Sequence, residues 1–256
     1  MKTNPIFERL SLLTGSEGLE KLSRTKVLVF GAGGVGSWAA EALVRSGIGK
    51  IGIIDNDTVC ASNINRQIEA TALTIGQPKA GALKKRLLEI NPECNITAWD
   101  ELFCLENASV FDIKNADYVI DAIDSLTHKL DLIETVLNFG VTLFSSMGMA
   151  LKIDPSRIKT GSIWKTDVCP LARLVRQGLR KRGFKGDFTV VYSDEQRAEN
   201  REQETINSGQ LADNDDPFTA NYHPARKSVN GSIVTVTAVA GFYLASLVIN
   251  DIIKGS

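Results

Sequence analysis

The run Gly31-Ala32-Gly33-Gly34-Val35-Gly36 constrains this chain more than any other feature. It follows the β-rich stretch Lys26–Phe30 and opens a helical stretch over residues 37–46. Glycine has no Cβ, so such a turn can be tight and its backbone can lie against a phosphate. The helix behind it offers free N–H groups and a positive dipole end to that phosphate. The dipole contributes only about 0.3–1 kcal/mol per charge, so other contacts must complete a binding site. The next apolar stretch, Lys50–Ile54, ends in Asp55, 24 residues after Gly31, where a ribose-binding carboxylate belongs.

This strand–turn–helix–strand unit is a βαβ opening, and the alternation continues. Pro78 starts a helix carrying Leu83, Leu87, Leu88 and Ile90, and Asn91-Pro92 ends it. Strands are expected at 95–99, 118–123 and 141–145, with helices between. The fold class is therefore α/β: a Rossmann-like, mainly parallel sheet with helices on both faces. After Asp154-Pro155 the pattern changes. Residues 157–165 read as a strand without a crossover helix, 171–181 as a helix and 188–192 as another strand, giving C-terminal antiparallel strands and a helix. The expected organisation is one unit over 1–256, with a nucleotide-binding core at 26–150 and a C-terminal extension at 151–256. That extension holds a basic helix at 170–182 and a polar, acidic loop at 194–228 expected to be mobile.

Net charge over the 256 residues is −1, which excludes a global field for nucleic acid or membrane; any such partner must meet a local patch. The four cysteines (Cys60, Cys94, Cys104 and Cys169) show no C-x-x-C spacing, which argues against a structural zinc site and fits a reducing cytoplasm. Residues 232–249 carry no charge, yet Ser232, Thr235, Thr237, Gly241 and Ser246 interrupt them. A buried strand plus helix or a subunit interface is expected there, not a stable membrane span.

A dinucleotide site needs one acid for its ribose; a triphosphate also needs cations. Arg66 and Lys79 supply them, the first as a fork and the second as a point charge. Asp124, at the C-terminal end of a strand, is placed to hold Mg²⁺, a hard ion that prefers carboxylate oxygen. The ordered strings G-x-G-G-V-G, D-x-D, S-N-x-x-R-Q, G-x-P-K and D-x-x-D-S resemble the ubiquitin-activating superfamily, which includes molybdopterin- and thiamine-synthesis adenylyltransferases. The resemblance implies ATP bound by Gly31, Gly33, Gly34, Gly36, Asp55, Asp57, Asn63, Arg66, Gln67, Lys79, Asp124 and Ser125, with Mg²⁺ on Asp124. Catalytic roles fall to Arg9, Arg66, Lys79 and Asp124. The match to an N-terminal arginine that reaches a partner's ATP is Arg9, which implies a homodimer.

The second half narrows this further. Ile153-Asp154-Pro155, Thr160-Gly161-Ser162, the segment from Cys169-Pro170-Leu171-Ala172-Arg173 to Leu179-Arg180-Lys181-Arg182-Gly183, and Gly231-Ser232 resemble the tRNA threonylcarbamoyladenosine dehydratases. Arg173, Arg176, Arg180, Lys181, Arg182 and Lys185 form a basic stripe without an acid, a footprint for tRNA phosphate, while Leu171, Leu174, Val175 and Leu179 are expected to face the core. The function implied is ATP-dependent dehydration of the modified adenosine through an acyl-adenylate. The alternatives are an adenylyltransferase for a ubiquitin-like sulfur carrier, with a sulfur-relay partner, and an NAD-binding dehydrogenase. Cys169 sits beside the basic helix but is expected to be structural, as free cysteines usually are. His128, four residues after Asp124, and His223 show no partner pattern and receive no role.

Overall fold

The computed structural model describes residues 4–196 and 230–255. Apolar runs bounded by glycine or polar residues become the strands β1 (Lys26–Phe30), β2 (Lys50–Ile54), β3 (Asn95–Trp99), β4 (Tyr118–Asp121) and β5 (Thr142–Ser146). Two more follow in the second half, β6 (Ile158–Ser162) and β7 (Thr189–Ser193). The seven strands form one sheet in the order β3-β2-β1-β4-β5-β7-β6. All neighbours are parallel except β6 and β7, as the α/β reading expects.

Helices α1 (Glu8–Arg24), α2 (Gly36–Arg45), α3 (Lys79–Ile90), α4 (Leu126–Asn138), α5 (Pro170–Lys181) and α6 (Val234–Lys254) cover both faces. The period-2 pleat of β1 shows how. Val27 and Val29 join one core with residues of α2, α3 and α6; Leu28 and Phe30 join the other with residues of α4 and α5. α1 is broken at Gly15, whose φ of 68° and ψ of 177° are not helical.

The structure departs from the expectations in three places. The strand expected over 157–165 stops at Ser162, because the Ser162 hydroxyl accepts the Trp164 N–H at 3.1 Å and starts a short 3₁₀ turn, Ile163–Lys165. Residues 232–249 hold no strand but most of α6, a helix long and apolar enough to cross a membrane by length and composition, half of whose most apolar window is buried within this fold. α6 crosses the start of α2 at backbone contact: a Cβ on Gly241 would lie 2.5 Å from the Val35 carbonyl oxygen. The loop expected to be mobile from 194 begins with a fixed residue. Asp194 is buried and pairs with Arg157 at 2.7 Å and with Lys159. Residues 197–228 of that loop, with His223, lie outside the described residues.

Candidate nucleotide site

The strand order 3-2-1-4-5 reverses direction between β1 and β4. Beyond the carboxyl ends of those strands, where open α/β sheets bind ligands, lies a cavity of about 880 Å³. Gly31 follows β1 with φ 92°, and a Cβ there would lie 2.7 Å from the Ala122 carbonyl oxygen beyond β4, so only glycine lets the two strand ends meet. Gly33 and Gly34 line the cavity. Gly36, expected among the ligand-binding glycines, does not line it among the described residues. It opens α2, and a Cβ there would collide with the Gly31 carbonyl oxygen.

Asp55 follows β2 and fastens this turn. Its carboxylate accepts the Ala32 N–H at 2.6 Å and the Asp57 N–H at 2.8 Å. Burial pushes the Asp55 carboxyl up, against the opposing pull of Lys79 and those two N–H groups. A carboxylate has about four acceptor positions, so two remain for a ribose.

The two cations arrive from later elements. Lys79 begins α3 behind Pro78; it is buried, and its ammonium meets the Asp57 carboxylate at 2.9 Å. The Lys79 N–H also donates to the Asp57 carbonyl at 2.9 Å, so main chain and side chain both fix the pair. The Arg66 guanidinium is held by the Ser62 carbonyl and the Asn65 side chain, each at 2.8 Å, while the Arg66 carbonyl accepts the Trp38 indole N–H at 2.9 Å. Asn63 is buried and accepts the Cys60 N–H at 3.0 Å. Gln67 is buried with its Oε1 unpartnered among the described residues. Both cations, Asn63 and Gln67 line the cavity.

Asp124 also lines the cavity and is exposed, and Ser125 is the N-cap position of α4. The turn that carries Asp124 is anchored from below. Asp121 and Lys129 are fully buried and paired at 2.7 Å; the Ser145 hydroxyl donates to the same Asp121 oxygen at 2.6 Å, and the other accepts the Ile123 N–H at 3.0 Å. No group of three or more potential metal ligands occurs among the described residues. One carboxylate beside a triphosphate suits Mg²⁺, which keeps its waters and takes few protein ligands.

Several expected participants lie elsewhere. Arg9 is exposed on the first turn of α1 and does not line the cavity among the described residues. Within the basic stripe, Arg176 donates to the Thr166 hydroxyl and to the Ile163 carbonyl at 3.4 Å, and Arg180 stacks 5.4 Å from the Trp164 ring centre. Arg182 pairs with Asp131 at 2.6 Å and Glu134 at 2.7 Å. Arg173, Lys181 and Lys185 are exposed and have no ion-pair partner among the described residues. Leu174, expected to face the core, is 41% exposed, while Val175 and Leu179 are buried as expected and Ala172 joins them. Cys169 is 2% exposed at the N-cap of α5, as a structural cysteine would be.

Three further residues, none given a role from the sequence, stand out in the fold. His128 lines the cavity; its spacing one helical turn after Asp124 was the available signal. Lys152 lines the cavity at 3% exposure, and no spacing pattern marks it. Glu69, just past Arg66 and Gln67, is 2% exposed with neither carboxyl oxygen hydrogen-bonded among the described residues, and burial pushes it up to about 7.

The glycine turn, the switch-point cavity and the cations beside it define a nucleotide-binding α/β protein whose site is built for a polyphosphate. The chain belongs to the ThiF family, whose model matches residues 7–255. It is 41% identical to the tRNA threonylcarbamoyladenosine dehydratase of Bacillus subtilis over 248 residues, covering 97% of this chain and 94% of that one. It is similar to the crystal structure of the Escherichia coli tRNA N6-threonylcarbamoyladenosine dehydratase TcdA in complex with ATP, with TM-score 0.81 and 32% identity over 97% of this chain and 94% of that one. A more distant relative, the adenylyltransferase and sulfurtransferase UBA4 of Vanderwaltozyma polyspora, is 37% identical over 53% of this chain and 31% of its own length.

Proposed function

We propose that this chain dehydrates threonylcarbamoyladenosine in tRNA, using ATP to adenylate the threonyl carboxylate. The observation that carries the proposal is the shared cavity. Its lining combines residues of the first half of the chain, such as Arg66, Lys79 and Asp124, with residues of the second half such as Lys152, Leu171 and Ser232. Similarity to a dehydratase along nearly the whole chain supports the same substrate class, whereas the sulfur-carrier activator matches only about half of it.

In the first step a carboxylate oxygen attacks the α-phosphorus. The bond between that phosphorus and the α,β-bridging oxygen breaks, and pyrophosphate leaves with the electron pair. In the second step the carbamoyl group attacks the acyl carbon, loses a proton and expels AMP. The oxygen removed from the nucleoside therefore leaves in AMP. Arg66 and Lys79 face the phosphates, where fixed cations stabilise charge that builds up on leaving oxygens. Asp124 would hold the magnesium of Mg–ATP, which polarises phosphoryl oxygens when bound. Ring closure is intramolecular, so it needs positioning rather than a protein nucleophile; burial of Cys169 agrees with that.

We assign tRNA to the α5 face, with Arg173, Lys181 and Lys185 as its available cations and Arg180 as a stacked one. Arg9 is assigned to a second copy's site in a homodimer, and the reaction to the cytoplasm. The test is incubation with ATP, Mg²⁺ and tRNA bearing the threonylcarbamoyl group, followed by nucleoside mass analysis. Loss of one water with one AMP per event is expected. Pyrophosphate exchange driven only by a protein ending in Gly-Gly would instead identify a sulfur-carrier adenylyltransferase.

A further inference from the structure

Three lysines are buried among the described residues, and two of them have carboxylate partners. Lys79 meets Asp57 at 2.9 Å, and Lys129 meets Asp121 at 2.7 Å. Lys152 differs. Its ammonium donates to the backbone carbonyl of Glu195, and no carboxylate pairs with it among the described residues. The nearby Glu195 carboxylate faces backbone instead, accepting the Ile153 N–H at 3.0 Å and the Asp154 N–H at 3.1 Å. An ammonium has three donors, and a buried cation without a counterion is costly.

The position of Lys152 gives such a counterion a source in a ligand of the cavity. Lys152 lines the cavity that Arg66, Lys79 and Asp124 also line, together with the residues after β5 and the start of α5. Its backbone is fixed there: Leu151 adopts a left-handed φ of 59°, and its N–H donates to the Gly231 carbonyl at 2.9 Å. Met147, Met149 and Leu171 add apolar side chains to the same lining, and beside apolar groups a single charge is felt strongly.

We propose that Lys152 binds the carboxylate of the acyl substrate and holds it against the α-phosphorus of ATP. This rests on the adenylating role proposed above. One carboxylate oxygen pairs with the Lys152 ammonium while the other attacks phosphorus. The P–O bond to pyrophosphate breaks as the acyl–oxygen–phosphorus link forms. Lys152 then faces the carbonyl oxygen of the acyl-adenylate, where charge gathers during ring closure. No proton needs to leave Lys152 in either step.

The experiment pairs a change in the protein with a change in the ligand. Affinities of wild type and Lys152→Met are measured, with a non-hydrolysable ATP analogue present, for an anticodon stem-loop whose modified adenosine ends in carboxylate or in neutral carboxamide. Wild type is expected to prefer the carboxylate by about 10- to 100-fold, the range of a charged hydrogen bond, and Lys152→Met to lose that preference while binding the ATP analogue unchanged. A Lys152→Met protein that keeps the wild-type preference overturns the proposal, and so does one whose loss is matched by lost ATP affinity. Should Lys152→Met fail to fold, Lys152→Arg and Lys152→Gln replace it. Arg must keep more of the preference than Gln, and equal values overturn the assignment. If wild type does not dehydrate the carboxylate stem-loop, the dehydratase function itself fails; if it does and the variants discriminate as wild type does, only Lys152 is misassigned.

Discussion

Burial raises the Glu69 carboxyl to about 7, so in the folded protein it holds its proton through a range in which the unfolded chain has lost it. Between about pH 4.5 and 7 the folded state therefore binds more protons, and stability falls as pH rises through that window. The shift is equivalent to roughly 3 kcal/mol as an upper bound. Glu69→Gln has no such proton to lose. It is expected to flatten the dependence of the denaturation midpoint on pH and to be more stable than wild type at pH 8; equal slopes in both proteins would show that Glu69 ionises normally. At the phosphate end, Lys79→Met is expected to weaken ATP binding about 10- to 100-fold by calorimetry, the range for losing a charged hydrogen bond. Asp124 is exposed and no hydrogen bond of its carboxylate is recorded among the described residues, so Asp124→Ala should leave the melting temperature unchanged. Its turnover should fall by about 100-fold or more if it holds the metal, and wild-type turnover would contradict that role.

The helix α5 carries its message in parts. Its basic residues were legible in the sequence because charge and helical spacing are local properties. Their partners were not, since Asp131 and Glu134, which hold Arg182, come from α4 some 50 residues earlier. For the same reason Leu174 read as a core residue: it satisfies the period, but in the assembled fold it is 41% exposed. Substitution should separate the two groups. Charge removal at Arg173, Lys181 or Lys185 is expected to weaken tRNA binding and lower the salt slope by about one per residue. Arg182→Ala should leave the slope nearly unchanged and lower stability by about 0.5–1 kcal/mol, as expected for a half-exposed ion pair. A salt slope insensitive to all three exposed cations would move the RNA elsewhere on the surface. The strands were easier: β1, β2, β4 and β7 are mostly apolar runs, and β1 to β3 lie where the sequence places them. The end of β6 depends on one hydroxyl, Ser162, whose choice of partner no periodicity reveals.

At the scale of the whole molecule, the reversal of strand order between β1 and β4 puts the glycine turn beside Asp124, and residues of the second half complete the lining of the cavity. The glycine turn, the acid after β2 and the two later cations could be read from sequence because each belongs to a motif with fixed spacing. Lys152 and Glu69 could not, because their meaning comes from burial and from the lack of a recorded counterion or hydrogen bond, which only the assembled fold displays. The central claim is that one cavity serves both ATP and an acyl group delivered on tRNA. The most direct measurement supplies tRNA whose threonylcarbamoyl carboxylate carries heavy oxygen, together with unlabelled ATP and Mg²⁺, and weighs the products. The expected result is one heavy oxygen in AMP for each nucleoside that loses water. Dehydrated nucleoside with unlabelled AMP, or no AMP at all, would contradict it.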